Sequence, residues 1–458
     1  LTIQAVDPSS SHHSPWSTIW PLVWRFHFLV GVILAPFLIV LCLTGIVYAL
    51  VPQIDDVIYH RQLYVDHVGQ HPSLLATQIR TARMVVPNSR LMSIDPPTAA
   101  DRTTAINFAA GTTTMSGTAE NRTVYVNPYT NAVQGSLVTA ANRLPLQEWL
   151  RELHGQLHLG DVGRLYSELA ASWLPFLASA GLLLWFTRRR RRTTDLLRPQ
   201  RRQRPGRLRT LNWHAVVGSW LTVGVLFISL TGLTWSHFAG ARFESLLTAL
   251  NGHPPNLAIQ VGPYSANTPR VGADAVLAAA HQQELSGPLE ITPPSGQSNI
   301  YLVSEISNSW PIRQDKIAVD PYTGGNVARL NFADYPLPAK LTTLGIDAHS
   351  GTLFGLANQL LLIAFASGVL FVIGAGYRMW WLRRPKGSLM GKTPTRIAWQ
   401  RFPRSALVTG GLVIIGIGVM LPVLGVSLVL FIMFDYLLSL HLRGKESVGD
   451  RFNRTRQA

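Results

Sequence analysis

Apolar residues in this chain gather into long uninterrupted runs. Residues 28–50, 169–187, 215–236 and 353–377 each extend for 19 to 25 positions without a charged side chain. A helix rising 1.5 Å per residue needs about 20 residues to cross a hydrocarbon layer of about 30 Å. Each run therefore predicts a membrane-spanning helix. A last run, 406–442, contains one acid, Asp435, and would be about 55 Å long as a single helix. Pro422 near its middle predicts a helical hairpin, which gives six spans.

The stretches between spans follow a different pattern. Residues 51–144 and 239–340 each open with helical spacing, at 73–84 and 272–285, followed by short strand-like runs. Val126-Asn127-Pro128-Tyr129-Thr130 and Val319-Asp320-Pro321-Tyr322-Thr323 each read as a strand running into a turn.

The two halves of the chain also match at fixed offsets. His27, Gly31, Thr44 and Gly45 recur as His214, Gly218, Thr231 and Gly232. His154, Gly160, Gly181, Trp185 and Arg188 recur as His349, Gly355, Gly376, Trp380 and Arg383, and Pro96-Pro97 recurs as Pro293-Pro294. The expected architecture is a membrane α-helical bundle of four core spans in two parallel repeats, plus a C-terminal hairpin, with two small extramembrane α+β domains.

Composition narrows the class. The chain of 458 residues is 47% hydrophobic and 14% charged, against about 25% charged in soluble domains. Mean hydropathy is +0.18. An ordinary soluble enzyme, a disordered chain and a secreted disulfide scaffold are excluded. Cys42 is the single cysteine, so internal disulfides, thiolate-held clusters and a C-x-x-C-H haem attachment are excluded as well.

The net charge of +16 does not point to nucleic acid. Eleven arginines fall within 188–209, directly after an apolar run, with Asp195 the only acid among them. That is the footprint of a cytoplasmic membrane loop. The first run is too long for a cleavable signal peptide and lacks a small-residue cleavage site.

The expected order is a cytoplasmic tail (1–20), span 1 (21–50), outer domain 1 (51–144), span 2 (145–187) and an Arg-rich cytoplasmic loop (188–210). Span 3 (211–238), outer domain 2 (239–340), span 4 (341–382), a basic cytoplasmic loop (383–405), the hairpin (406–442) and a cytoplasmic tail (443–458) follow.

Four of the fourteen histidines recur at equivalent places in or beside spans. Ionisable residues there are costly and are functional candidates. His27 and His214 each begin a span on the cytoplasmic side, while His154 and His349 each precede one on the opposite side. Facing pairs across the repeat axis, His27 with His214 and His154 with His349, suit two b-type haems, each clamped from both faces. Gly31, Gly218, Gly160 and Gly355 would leave room for a flat macrocycle. The blander alternative is that these histidines hydrogen-bond between helices.

His154 precedes the apolar run by far enough that its helix must extend well above the membrane. His158, one turn later, is a possible alternative ligand. His237, just past the third span, is a possible substrate or propionate contact. The remaining histidines (His12, His13, His60, His67, His71, His253, His281 and His441) lack motif context and read as surface residues.

These motifs, with Gly232-Leu-Thr-Trp-Ser236 and Asp347-Ala-His349-Ser-Gly351, resemble the PepSY-associated transmembrane helix family of iron-regulated membrane proteins, which includes periplasmic siderophore reductases. The resemblance covers about residues 20–440. It implies two PepSY-like outer domains, haem ligation at His27, His154, His214 and His349, and haem-mediated reduction of a ferric chelate. The chain departs from the commoner pattern at Thr234, where many relatives have proline, and at His237-Phe238-Ala239.

The expected function is a di-haem oxidoreductase of the bacterial cytoplasmic membrane, carrying two haem b per chain. It would take electrons from a quinol or a separate reductase and reduce a ferric siderophore or other iron complex outside, in the service of iron uptake. No nucleotide-binding signature follows a soluble strand. The rivals are a haem-free sensor or protease regulator and a permease for an iron complex. Against the permease, no charge lies within the four apolar runs.

Overall fold

The computed structural model describes residues 15–188, 197–199, 205–257, 259, 268–294, 300–385, 387, 388 and 403–437. Most of the expected arginine-rich loop, much of the second basic loop and both tails lie outside the described residues, as do His12, His13 and His441.

In chain order the first half has α1 (Pro15–Ala49), α2 (Val51–Ile58), α3 (His60–Leu63), α4 (Leu75–Val85), β1 (Leu91–Asp95), β2 (Thr104–Thr113), β3 (Ala119–Val126), β4 (Val133–Ala140), α5 (Pro145–Gln156) and α6 (Gly160–Arg188). The second has α7 (Arg207–Leu233), α8 (Phe238–Ala249), α9 (Ala273–Gln282), β5 (Leu289–Thr292), β6 (Tyr301–Glu305), β7 (Lys316–Val319), β8 (Asn326–Leu330), α10 (Leu337–Ser350) and α11 (Leu356–Trp381). Two shorter apolar helices close the described chain, α12 (Arg404–Met420) and α13 (Pro422–Leu437).

Four stretches are long and apolar enough to cross a membrane: Ile19–Ala49, Gly160–Thr187, Arg207–Leu233 and Leu356–Trp381. They cover most of each predicted run, missing residues 50, 234–236 and 353–355, and extend beyond it at the other end, so Arg25 and Glu168 fall inside them. Spans 2 and 4, expected as continuous helices, are each broken. Leu157 ends α5 in the left-handed region (φ 53°), and Gly351 ends α10 at φ 88°. Gly160 and Gly355, at φ 60° and 55°, stand where α6 and α11 begin. These glycines answer a backbone demand that other residues meet only with strain.

The last apolar run breaks at Leu421 and Pro422, because proline cannot continue the hydrogen-bond ladder. A Cβ on Gly425 would lie 2.4 Å from the Gly418 Cα, so the chain doubles back there, between two apolar helices shorter than the four candidate spans.

The chain divides into two compact units. One comprises Leu1–Cys42, Leu165–Arg242 and Phe365–Ala458; the other comprises Leu43–Arg164 and Phe243–Ala364. The first is helical. Its core packs Val30, Leu34 and Leu38 of α1 against Ala170 and Trp173 of α6 and Leu424 of α13.

The second unit differs from the two separate α+β domains expected. Its eight strands form one antiparallel sheet, ordered β4-β3-β2-β1-β5-β6-β7-β8, with β1 joined to β5 at Ile94↔Ile291. Pairing these two edges removes exposed ladders that two separate sheets would present to solvent. Strand alternation sends Ile94, Ile106, Phe108, Val124, Val126, Ile291, Val303, Ile317 and Val319 to one face. There they share a single core with α4 and α9, through Leu75, Ala82, Val276, Ala279 and Ala280. Full burial of each large side chain contributes about 1.5–3 kcal/mol.

A polar ladder, Thr139–Thr123–Asn107, crosses the opposite face, and the Asn107 amide donates to Ser93 Oγ and Asp95 Oδ2 at 2.9 Å. The two predicted turns form as Asx turns. Asn127 Oδ1 accepts from the Tyr129 N–H at 2.9 Å, and Asp320 Oδ1 from the Tyr322 N–H at 2.8 Å.

Candidate functional site

His27 lies about three turns into α1 and His214 about two turns into α7. Their rings face each other with centroids 6.2 Å apart and planes at 84°. Each ring is held in the same way. His27 Nδ1–H donates to the Leu177 carbonyl of α6 at 2.9 Å, and His214 Nδ1–H donates to the Val372 carbonyl of α11 at 2.9 Å. A carbonyl can only accept, so Nδ1 carries the proton in both rings. Nε2 is then the lone-pair nitrogen, the form in which imidazole ligates a metal.

The residue four positions after each accepting carbonyl is glycine. A Cβ on Gly181 would lie 2.7 Å from His27 Cε1, and one on Gly376 would lie 3.7 Å from His214 Cε1. The missing side chain of Gly181 lets the His27 ring reach a carbonyl that already belongs to a helix, whereas a Cβ on Gly376 would make an ordinary contact. These glycines, with Gly45, border the histidine rings. Of the glycines expected to make room for a macrocycle, Gly31 faces Leu177, 3.7 Å from where its Cβ would be, and a Cβ on Gly218, Gly160 or Gly355 would enter open space.

His154 and His349 occupy matching places in the last turns of α5 and α10. His154 Nδ1 meets Thr44 Oγ1 at 2.8 Å, and a Cβ on Gly45 would lie 3.4 Å from His154 Cε1. The repeated Thr-Gly pair thus acquires a physical role in the first half, threonine holding the ring and glycine clearing its path.

His158 is not one turn further along the face of His154. It lies beyond the end of α5 at φ 53°, with its ring 4.9 Å from that of Trp149 and its Nδ1 3.6 Å from the Glu152 carboxylate. His237 is exposed beside the Phe238 ring. His60, His67, His71 and His281 are exposed, and His253 is half-buried with Nε2 2.9 Å from Thr248 Oγ1.

Sequence reasoning passed over two buried charges. Arg25, two residues before His27, pairs with Asp435 of α13, Nε to Oδ1 at 2.9 Å, with both side chains under 10% exposed. Glu168 of α6 is 1% exposed and accepts from the Phe238 and Ala239 N–H groups at 2.8 and 2.9 Å, capping the start of α8. Asp435 was visible as the one acid in its apolar run. Glu168 sits one residue before the apolar run 169–187.

Four helices long and apolar enough to cross a membrane, beside an open antiparallel sheet, define a polytopic membrane protein. The chain belongs to the PepSY-associated TM region family, whose profile matches residues 24–383. That match contains all four repeated histidines and ends before α12 and α13. No curated protein matches the chain.

Proposed function

We propose that this protein is a di-haem oxidoreductase of the bacterial cytoplasmic membrane that reduces a ferric siderophore or another ferric chelate on the outer face. The reading rests above all on the His27–His214 pair. Two imidazoles on opposite sides of one metal ion, with bonds of about 2 Å each, have ring centroids about 6 Å apart. The observed separation fits, and the Nδ1 hydrogen bonds leave Nε2 as the lone-pair nitrogen of both rings.

His27 and His214 would hold one haem; His154 and His349 would hold the second. Ligation is noncovalent, since no C-x-x-C-H attachment exists. When bound, each haem supplies reversible one-electron chemistry. The protein's own residues do the rest: the Leu177 and Val372 carbonyls fix tautomer and orientation, and Gly181 admits the His27 ring.

The outer position of the sheet follows from the arginine-rich loop after α6 and the basic loop after α11, both read as cytoplasmic. The matched element order, a helix and four strands twice over between long helices, supports two PepSY-like halves that arose by parallel duplication. A quinol or a separate reductase would supply electrons. Ferrous iron is held more weakly than ferric iron by hard oxygen ligands, so reduction releases it from the chelate.

The test is a reduced-minus-oxidised visible spectrum of the purified protein with haem quantified per chain. About two b-type haems are expected, falling to about one in His27→Ala or His214→Ala. Ferric chelate added to the reduced protein should then yield ferrous iron. A colourless protein from haem-replete cells would sink the proposal and favour the sensor or permease.

A further inference from the structure

We propose that Thr44 is a positioning residue that makes the His154 site the more oxidising of the two, so that the direction of electron flow is built into the hydrogen-bond partners of the histidines. This rests on the haem reading above. His27, His214 and His154 are each engaged through Nδ1, but with partners of different strength. His27 and His214 meet backbone carbonyls at 2.9 Å, whereas His154 meets the Thr44 hydroxyl at 2.8 Å.

An amide carbonyl is a stronger acceptor than a hydroxyl. Donation to it makes the imidazole a more electron-rich ligand, which favours the ferric state and lowers the potential. A hydroxyl partner does this less. Electrons are therefore held less tightly at His27/His214 and move toward the site of His154.

The matched threonine of the second half is suited to the same task. Thr231 Oγ1 donates its one hydrogen back to the Phe227 carbonyl at 2.8 Å, so toward a ring N–H it can act only as an acceptor. A threonine that merely satisfied its own helix would serve equally well as valine in either place.

The experiment is a potentiometric titration of the haem-loaded protein and of Thr44→Val, Thr44→Ser and Thr231→Val, with haem content measured first. Two waves are expected in the parent, and His27→Ala identifies the higher as belonging to His154. Thr44→Val should keep about two haems and move the higher wave to more positive potential, leaving the lower wave in place. Thr44→Ser should restore the parent value. If Thr44→Val does not accumulate, Thr231→Val must show the same one-sided shift.

The proposal is overturned if neither wave moves, if the lower wave moves instead, or if the shift is negative. Absence of haem from every variant and the parent is a different failure. It removes the haem reading itself and is seen before any titration begins.

Discussion

One methyl group beside His27 distinguishes glycines that look alike in the sequence. A Cβ at Gly181 would sit 2.7 Å from the His27 ring, closer than real Cβ atoms come to a neighbour, whereas one at Gly376 would sit 3.7 Å from the His214 ring, an ordinary contact. Gly181→Ala must therefore push His27 off the Leu177 carbonyl. We expect it to cost about one haem per chain, while Gly376→Ala keeps both; haem content of the purified variants checks this. Equal behaviour of the two would refute the assignment. The repeat was legible because both glycines recur at one offset. Their task was not, because spacing along a chain does not say which ring another helix brings within reach.

Among the helices, α13 meets α1 through a buried ion pair as well as through the apolar contacts of Leu424 and Phe431. Removing one partner of a buried ion pair leaves the other charge uncompensated, at a cost of about 3–5 kcal/mol, whereas apolar replacement of both is often neutral. Asp435→Ala should thus lower thermal stability in detergent by that order, and Arg25→Met with Asp435→Leu should recover most of it. Asp435→Ala melting like the parent would show that the pair contributes nothing. The family match stops before α13, and no local pattern ties an acid to an arginine 410 residues away. The break between α5 and α6 escaped sequence reading for a more local reason: Leu157 and His158 adopt left-handed φ without being glycine.

For the molecule as a whole, the seam of the sheet is the distinctive choice. Asp95 lies at the end of β1 beside Glu290 of β5, where the two halves join. Burial, with the Glu290 charge adding to it and the Asn107 hydrogen bond opposing it, pushes the Asp95 carboxyl up to about 7. A folded-state value above the ordinary 3.8 means that the folded sheet binds the proton more tightly than the unfolded chain. Stability is then greatest below about 4, falls as pH rises toward about 7, and levels off above it. Amide hydrogen exchange of β1 and β5 at pH 5 and pH 8 should show faster opening at the higher pH. Asp95→Asn should remove most of that difference, and a variant with the parent's pH dependence would assign the effect elsewhere.

The sequence by itself determined what depends on neighbours along the chain: the number of long apolar helices, the break at Pro422, the two Asx turns and the recurrence of histidine and glycine at fixed offsets. Hydrocarbon thickness, proline's missing N–H and the side-chain period of helices and strands act within a few residues or along a single helix, so they leave their mark in the order of residues. Tertiary structure alone decided that eight strands share one sheet, that His27 and His214 face each other with carbonyls on Nδ1, that Thr44 rather than a carbonyl holds His154, and that Arg25 meets Asp435. Each of these joins positions far apart in the chain, and which distant partners meet is set by the packing of whole helices and sheet edges, which no local period encodes.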